Sequence, residues 1–242
     1  GSVSPYPNKT NNCPGYLLQI HKTKLLFDCG SGIVKNLIFP EDFVNLNVFI
    51  SHFHKDHYSD LLILGYASYV YHNLGKLNKK IKVFIPKSNE TDYEYTDYQL
   101  IKSMEEQYFE IIEYDETSEF IIDEAKVDFM LNFHSIKTYS TRVKVKNKTF
   151  VYAADLGVKS SNQLINFSRN ANILLVESSF LEKDNIQNMY HLHAKEAATI
   201  AKLAEVQKLV LTHFWPEHNI CEYYEDAKGI FENTICAEEN LI

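Results

Sequence analysis

The chain has 242 residues, of which 45% are hydrophobic and 23% charged, so it can bury a substantial core, and we expect one globular domain over residues 1–242. Its 32 acidic residues outnumber the 24 basic ones, and the net charge of −8 argues against a protein that binds long nucleic acids along a basic surface. No segment reaches the roughly 20 apolar residues of a membrane span, and the amino terminus lacks the features of a signal peptide, so we expect a cytoplasmic protein without membrane contacts.

Short segments with the composition of β-strands dominate the first two thirds of the chain, and strands alternate with helices in the last third. The predicted strands are 16–20, 24–27, 48–50, 82–85, 126–131, 142–145, 150–153, 173–176 and 209–212. The predicted helices are 60–74, 96–109, 194–205 and 222–233. Sheets inside and helices outside are the simplest packing of such elements, which predicts an α+β fold.

The first candidate site directly follows the predicted strand at 48–50. The sequence "SHFHKDH" places His52, His54, Asp56 and His57 within six residues. Residues two apart on an extended segment point the same way, so His52 and His54 can converge on one cation. The turn that follows can direct Asp56 and His57 towards a second cation. Four ligands are too few for two ions, so further ligands must come from distant segments.

Three later residues end predicted strands and complete the candidate set. His134 follows "VDFMLNF", Asp155 follows "FVYAA" and His213 follows "KLVLT". Alternatively, each histidine is a surface or core residue whose ring is satisfied by neighbouring polar groups. That alternative requires chance agreement at four separated motifs, so the metal interpretation is favoured.

These motifs carry a resemblance to a known family. "SHFHKDH" resembles the HxHxDH signature of the metallo-β-lactamase superfamily, and "FHSI", "YAADLG" and "LTHF" follow in the order of its remaining ligands. The resemblance implies an αββα sandwich with two divalent ions at one edge, Zn²⁺ being favoured over Mn²⁺. It also implies the ligand sets: His52, His54 and His134 for one ion, Asp56, His57 and His213 for the other, and Asp155 bridging both.

Two supporting residues are expected beside the ligands. Asp28, in "LLFDCGSG", stands where the superfamily keeps an aspartate that receives the second N–H of a ligating histidine. The alternative for Asp28 is a turn-forming residue before Gly30 and Gly32. Glu177, which ends "LLVE", is either a similar supporting residue or a structural one.

A further motif, "YHLHAKEAATIAKLAEVQKLVLTHF" at 190–214, is similar to the phosphodiesterase branch of the superfamily. The resemblance implies that His191 stands beside the metals and protonates the leaving alkoxide or stabilises the phosphorane, so His191 and Asp56 are the predicted catalytic residues. The branch usually has Ser or Thr two residues after this histidine, but His193 stands here. His193 either competes for that role or caps the following helix without chemistry.

The branch contains the tRNA 3′-processing endonucleases, which grip tRNA with a long arm, and smaller cyclic-nucleotide phosphodiesterases. The 35 residues between Asp155 and His191 leave no room for an arm. The whole chain is most similar to the anti-Pycsar proteins of phages and bacteria, which open cCMP, cUMP, cAMP and cGMP to monophosphates and disarm host immunity. This resemblance implies a homodimer acting in the bacterial cytoplasm, and we expect that a first strand common in such proteins is absent before residue 1.

Substrate contacts are expected from aromatic residues. The acidic segment 87–99 is predicted to be an exposed excursion whose Tyr93, Tyr95 and Tyr98 stack on a base or reach a partner subunit's pocket; the alternative is a loop with incidental tyrosines. His218, after "WPE", is expected to line the pocket. Two other functions stay open: a tRNA 3′-processing type or other small phosphodiester hydrolase, and a protein that sequesters nucleotides without cleaving them.

Overall fold

The computed structural model describes residues 1–105, 107–184 and 190–239. Its first sheet has five strands in chain order, in which β1 and β2 are antiparallel and the remaining pairs are parallel. These strands are β1 (Tyr16–Ile20), β2 (Thr23–Phe27), β3 (Leu46–Phe49), β4 (Ile81–Pro86) and β5 (Phe109–Tyr114).

The second sheet has seven strands in the order β12-β11-β10-β9-β8-β7-β6. Strands β6 to β9 pair antiparallel, whereas β9 to β12 pair parallel. The strands are β6 (Glu119–Ile122), β7 (Ala125–Asn132), β8 (Thr138–Val145), β9 (Lys148–Ala153), β10 (Ile173–Glu177), β11 (Leu209–Thr212) and β12 (Thr234–Cys236).

Six α-helices are described besides short 3₁₀ turns. They are α1 (Lys55–Tyr58), α2 (Leu61–Asn73), α3 (Tyr95–Lys102), α4 (Ser161–Phe167), α5 (Ala194–Leu203) and α6 (Ile220–Lys228). None of the described helices combines the length and apolar character needed to cross a bilayer.

Three hydrophobic clusters divide the molecule into layers. One lies between the two sheets and joins Phe27, Phe49 and Phe84 of the first sheet to Val127 and Tyr152 of the second. A second packs α2 and α3 on the outer face of the first sheet, and a third packs α4, α5 and α6 on the outer face of the second. The expected αββα sandwich is therefore confirmed.

Strand direction explains why the candidate residues meet. Strands β9, β10 and β11 are parallel, and β7 runs in the same direction because two antiparallel pairings separate it from β9. Their carboxyl ends share one edge of the second sheet, where Asn132, Ala153, Glu177 and Thr212 are the last strand residues. The amide of Tyr139 donates to the carbonyl of Ser51 over 3.1 Å, which joins this edge to the segment after β3.

Several element predictions are corrected by the structure. The helix predicted over 96–109 runs from Tyr95 to Lys102 only, and Phe109 instead begins β5, an edge strand of the first sheet that has no clean apolar alternation in the sequence. The helix predicted over 222–233 begins earlier, at Ile220, where the Asn219 side chain caps it. The sequence does not indicate strands β5, β6 and β12 or helices α1 and α4, since short segments carry little periodicity.

The contact between the sheets yields a stability prediction. Phe84 is 2% exposed and its ring centroid lies 4.3 Å from that of Phe49 and 4.9 Å from that of Phe120 in the opposite sheet. The substitution Phe84→Ala should lower the free energy of unfolding by about 3–5 kcal/mol, because it leaves a cavity in the central layer. Urea denaturation followed by circular dichroism measures it. Ile121→Ala, at a position that is 67% exposed, is the control and should change the value by less than about 0.5 kcal/mol.

Candidate metal centre

The segment after β3 supplies four candidate ligands through a change from extended to helical backbone. His54 is extended (φ −71°, ψ 142°) and occupies the N-cap position of α1, so the side chains of His52 and His54 project from extended chain. Their facing atoms, His52 Nε2 and His54 Nδ1, are 3.0 Å apart. Asp56 and His57 lie in the first turn of α1, which directs them to the neighbouring position.

The three distant residues arrive at the same place from the strand ends of the second sheet. His134 Nε2 lies 3.2 Å from His54 Nδ1, and His213 Nε2 lies 3.2 Å from His57 Nε2. Asp155 joins His52, His54 and His134, and the ligand atoms of these four residues lie within 4.8 Å of one another. The structure thus brings all seven predicted ligands together in two adjoining groups, His52–His54–His134–Asp155 and Asp56–His57–His213.

Asp155 lies between the two groups and presents one oxygen to each. Its Oδ2 is 3.6 Å from His52 Nε2 and 3.7 Å from His134 Nε2. Its Oδ1 is 3.4 Å from His57 Nε2 and 3.0 Å from His213 Nε2. Oδ1 is buried and has no hydrogen-bond partner among the described residues, a state that is costly for a carboxylate unless a cation satisfies it.

The spacing and chemistry of the donors fit divalent cations. Four ligands at 2.0–2.1 Å around a tetrahedral ion stand about 3.3 Å from one another, which is the scale of the distances seen here. Imidazole nitrogens with carboxylate oxygens are the ligands of Zn²⁺ and are also accepted by Mn²⁺. The residues present therefore fit the two divalent ions that the sequence predicts, although the donors do not identify the metal.

Burial keeps four of the histidines in the neutral form that binds metals. It lowers the pKa of His134 to about 3 and that of His54 to about 4, and the neighbouring imidazoles add to both effects. The pKa values of His52 and His213 are lowered well below the usual value by burial and by the other histidines. A neutral imidazole keeps a lone pair for a cation.

His57 and Asp155 behave differently because they carry opposite charges in contact. Burial alone would lower the pKa of His57, but Asp155, Asp56 and Asp28 together raise it to about 10. Burial raises the pKa of Asp155 to about 7. Without a cation, a proton on His57 offsets the buried carboxylates, so metal binding at this group should release that proton.

Asp28 lies directly behind His57 and accepts four hydrogen bonds. Its Oδ2 accepts from His57 Nδ1 over 2.7 Å, from the Tyr152 hydroxyl over 2.6 Å and from the Ser51 hydroxyl over 2.9 Å, while Oδ1 accepts from the Ser51 amide over 2.7 Å. Asp28 also has φ +60°, a turn conformation. These contacts and this backbone conformation are compatible with both sequence interpretations of Asp28, and its hydrogen bond orients the His57 ring with Nε2 towards Asp155.

This arrangement predicts the effect of Asp28→Asn on metal binding. The amide group would place an N–H where His57, Tyr152 and Ser51 all donate, so the His57 ring would lose its orientation. Affinity for Zn²⁺ should fall about 10- to 100-fold, as measured by competition with a chelator. Asp123→Asn is the matched control, because Asp123 also has positive φ but lies in the turn between β6 and β7, and it should bind Zn²⁺ like the unmodified protein.

His191 stands beside the metal centre, as predicted. Its Nδ1 lies 3.2 Å from Glu177 Oε1, 3.2 Å from the Ser179 hydroxyl and 4.0 Å from Asp155 Oδ2. Burial would lower its pKa, but Glu177 and Asp155 raise it to about 9. Nε2 lies on the opposite side of the ring, and the side chain is 20% exposed, so His191 can reach a molecule bound at the centre.

His193 lies outside the candidate ligand groups and has a capping role. It is the N-cap of α5 in a capping box with Glu196, whose carboxylate accepts from the His193 amide over 2.9 Å. The interpretation of His193 as a cap without chemistry thus has direct support from its contacts.

The three tyrosines that are predicted to contact the substrate differ in their exposure and packing. Tyr98 is only 8% exposed, packs in the cluster beneath α3 and donates its hydroxyl to Glu113 over 2.7 Å, so its ring cannot stack on a base. The prediction for Tyr98 is wrong, because the segment 87–99 is not a wholly exposed excursion but continues into α3. Tyr95 stacks on Tyr98, whereas Tyr93 is 92% exposed and stays a prediction.

His218 is held away from the two ligand groups. Its Nε2 lies 3.3 Å from Asp184 Oδ1 and its Nδ1 lies 2.9 Å from the Tyr223 hydroxyl. The His218 amide also donates to the Trp215 carbonyl over 3.1 Å, and a role of His218 in the pocket lining stays a prediction.

Residues that sequence reasoning missed support the centre from behind. The Ser4 hydroxyl donates to Asp56 Oδ2 over 2.5 Å, and the Ser179 hydroxyl lies 2.9 Å from His213 Nδ1. Ser4 gives no signal in the sequence, since 52 positions separate it from its partner. Ser179 directly follows a predicted strand in "LLVESSF", which is the position shared by the other strand-end residues.

Comparisons with known proteins cover almost the whole chain. The family profile described as "Beta-lactamase superfamily domain" matches residues 23–214, a range that contains all seven candidate ligands. Ribonuclease Z of Chlamydia trachomatis serovar L2 is 28% identical over an alignment of 292 positions that covers 99% of this chain and 93% of the relative. The probable metallo-hydrolase YhfI of Bacillus subtilis is 27% identical over 238 positions, covering 97% of this chain and 93% of the relative.

A solved structure agrees with the same relationship. The crystal structure of the metallo-β-lactamase fold protein YhfI from Bacillus subtilis matches with a TM-score of 0.89 at 26% identity, covering 100% of this chain and 95% of that chain. The two proteins thus share the fold over nearly their whole lengths.

Proposed function

The chain belongs to the family of β-lactamase superfamily domains and is a metal-dependent hydrolase, and we propose that it hydrolyses 3′,5′-cyclic mononucleotides such as cCMP, cUMP, cAMP and cGMP to 5′-monophosphates. The observation that carries the proposal is the position of Asp155, whose two oxygens face two separate ligand groups. Paired divalent sites of this kind suit the displacement of an oxygen at phosphorus.

The residues have distinct parts in such a reaction. His52, His54 and His134 would hold one ion, Asp56, His57 and His213 the other, and Asp155 both. When bound, two such ions lower the pKa of water and offset the negative charge of a phosphodiester. The Ser4 hydroxyl donates to Asp56 over 2.5 Å and keeps it in place, and in this proposal Asp56 accepts a proton from the attacking water.

His191 is the proton donor to the leaving oxygen in this proposal. Glu177 accepts from its Nδ1, which leaves Nε2 for the substrate. Proton donation matters because an alkoxide that leaves without a proton is a high-energy species. Glu177 is 1% exposed, so water does not weaken its bond to His191.

The length and the net charge of the chain support a small substrate over a macromolecular one. The alignment with ribonuclease Z spans 292 positions whereas this chain has 242 residues, so about 50 positions of that enzyme have no counterpart here. Between Asp155 and His191, residues 158–184 form two 3₁₀ turns, α4 and β10, and only 185–189 lie outside the described part. Together with the net charge of −8, this supports a cyclic mononucleotide.

A second candidate function is endonuclease cleavage at the 3′ end of precursor tRNA. The ribonuclease Z relatives favour it, because 99% of this chain aligns with the Chlamydia trachomatis enzyme. A role in disarming cyclic-nucleotide immunity, of a phage or a bacterium, follows only if the cyclic-nucleotide activity is found.

The proposed homodimer has a candidate contact in α2. Leu61–Asn73 contains no charged residue, and its Leu62, Ile63, Tyr66 and Tyr69 are 40% to 62% exposed. Two copies of an acidic chain can approach along this uncharged face without like-charge contacts. Tyr66→Glu should therefore convert a dimer to a monomer in light scattering, whereas Ile121→Glu at an exposed position of β6 should not. A dimer unaffected by Tyr66→Glu would contradict this contact.

One panel of substrates decides between the functions. The protein loaded with Zn²⁺ or Mn²⁺ is incubated with cCMP, cUMP, cAMP, cGMP and precursor tRNA, and the products are separated by chromatography and gels. We expect 5′-monophosphates and intact tRNA. Cleavage of the tRNA with all cyclic nucleotides intact would establish the second candidate, and saturable nucleotide binding without product would indicate a sequestering protein.

A further inference from the structure

The hydroxyl of Ser179 lies between two histidines of the centre that have different parts. Ser179 Oγ is 2.9 Å from Nδ1 of His213, a candidate metal ligand, and 3.2 Å from Nδ1 of His191, the candidate proton donor. It is also 3.0 Å from Glu177 Oε2. Ser179 is 4% exposed, so these three groups are its partners in place of solvent.

Donor and acceptor counting assigns each hydrogen of this group. A hydroxyl has one hydrogen to donate and two lone pairs, and an ionised carboxylate can only accept. The Ser179 hydroxyl therefore donates to Glu177 Oε2 and accepts from the Nδ1–H of His213, and it shares the Nδ1–H of His191 with Glu177 Oε1, which lies at the same distance of 3.2 Å. The serine thus specifies which nitrogen of His213 carries hydrogen, and together with Glu177 it orients the His191 ring.

This tautomer is the one that His213 needs at the metal centre. With hydrogen on Nδ1, the lone pair is on Nε2, which lies 3.0 Å from Asp155 Oδ1 and 3.2 Å from His57 Nε2. His213 belongs to the Asp56–His57–His213 group, and no hydrogen bond joins the Ser179 hydroxyl to His52, His54 or His134 among the described contacts. The Ser179 hydroxyl should therefore affect the binding of only one of the two ions directly.

The backbone around Ser179 is held rigidly enough for this task. The Ser178 amide donates to the Thr212 carbonyl over 2.8 Å, and the Ser179 amide donates to Glu177 Oε2 over 3.0 Å. The buried Tyr223 hydroxyl donates to the Ser179 carbonyl over 2.9 Å. The hydroxyl position is consequently set by β10, β11 and α6 together.

We propose that Ser179 is a positioning residue that orients His213 for the second metal ion and His191 for proton donation with a single hydroxyl. The His191 half of this assignment rests on the proposed phosphodiesterase function. The His213 half concerns metal binding alone and stands even if the substrate is a different one.

Metal titration tests the first half without any substrate. The metal-free protein is titrated with Zn²⁺ in competition with a chelator, for Ser179→Ala, Ser179→Thr and the unmodified chain. Ser179→Ala removes the acceptor of His213 Nδ1, so affinity for one of the two ions should fall about 10- to 100-fold while the other ion binds as before. Ser179→Thr keeps a hydroxyl and should restore the affinity.

Ser178→Ala is the matched control. Its hydroxyl is also buried, but it donates to the Thr212 carbonyl over 3.2 Å, and among the described contacts no hydrogen bond joins it to either histidine. Both ions should bind this variant normally. With Zn²⁺ at saturation, Ser179→Ala should also lower kcat roughly 10- to 100-fold with little change in KM, because His191 is misplaced.

Two outcomes overturn the proposal. If Ser179→Ala binds both ions with unchanged affinity, the hydroxyl does not orient His213. If it loses both ions equally, or if Ser178→Ala behaves the same way, the serine has only a structural role. A selective loss of one ion in a protein that cleaves no cyclic nucleotide would leave the metal half standing and contradict the proposed substrate instead.

Discussion

Replacing Asp155 with asparagine is expected to reduce hydrolysis on the order of 10³-fold or more and to lower the zinc content from two ions to one or none per chain. The carboxylate presents Oδ2 to His52 and His134 and Oδ1 to His57 and His213. Asparagine keeps one oxygen, which can still face one ligand group. It turns an N–H₂ towards the other group, and this N–H₂ has no lone pair to offer the cation there. Elemental analysis and the rate of monophosphate formation, on the same preparation, measure both effects.

Asp123→Asn provides the control for this substitution, because it makes the same chemical change in the turn after β6. It should keep both ions and full activity. Should Asp155→Asn retain two zinc ions and near-normal turnover, the bridging position of Asp155 would have no chemical meaning and the two-ion interpretation would fail.

His191→Ala should lower kcat for cyclic nucleotides about 10²- to 10⁴-fold while the zinc content stays unchanged. His191 contacts Glu177 and lies beside Asp155, but it belongs to neither of the two groups of predicted ligands. A p-nitrophenyl phosphodiester offers a sharper measurement, because its leaving group departs without a proton. The variant should cleave that ester at nearly the normal rate.

The control for His191 is His72→Ala in the exposed last turn of α2, which should leave both rates unchanged. An equal loss on both substrates would show that His191 does not donate the proton. His191 also lies with Asp155 and His213 in a group whose ligand atoms are within 4.8 Å of one another, so a loss of zinc in His191→Ala would make His191 a ligand instead.

The metal centre was predictable from sequence because its chemistry is concentrated at strand ends. His52, His54, Asp56 and His57 lie within six residues, and their directions follow from the local change from strand to helix. His134, Asp155 and His213 were identified because each follows an apolar strand segment. The seven residues form two groups whose ligand atoms lie within 4.8 Å of one another.

The substrate contacts were less predictable, because an aromatic residue can pack in the hydrophobic core as readily as it can stack on a ligand. Tyr98 shows the difficulty: its neighbours in sequence are polar and acidic, yet its ring packs against Phe53 at 6.2 Å and its hydroxyl bonds Glu113. Helix α3 turns this side of the segment inwards, and nothing in the apolar spacing near residue 98 revealed that.

The sequence by itself determined the class of fold, the identity of the seven candidate ligands and the supporting position of Asp28, because residue type and strand-end position are local properties. Only the tertiary structure decided which oxygen of Asp155 faces which group, that Ser4 holds Asp56, and that Ser179 joins His213 to His191. Those relationships depend on how strands far apart in the chain align at one sheet edge. Hydrogen-bond geometry at that edge is set by packing of the whole sandwich, which no short stretch of residues encodes.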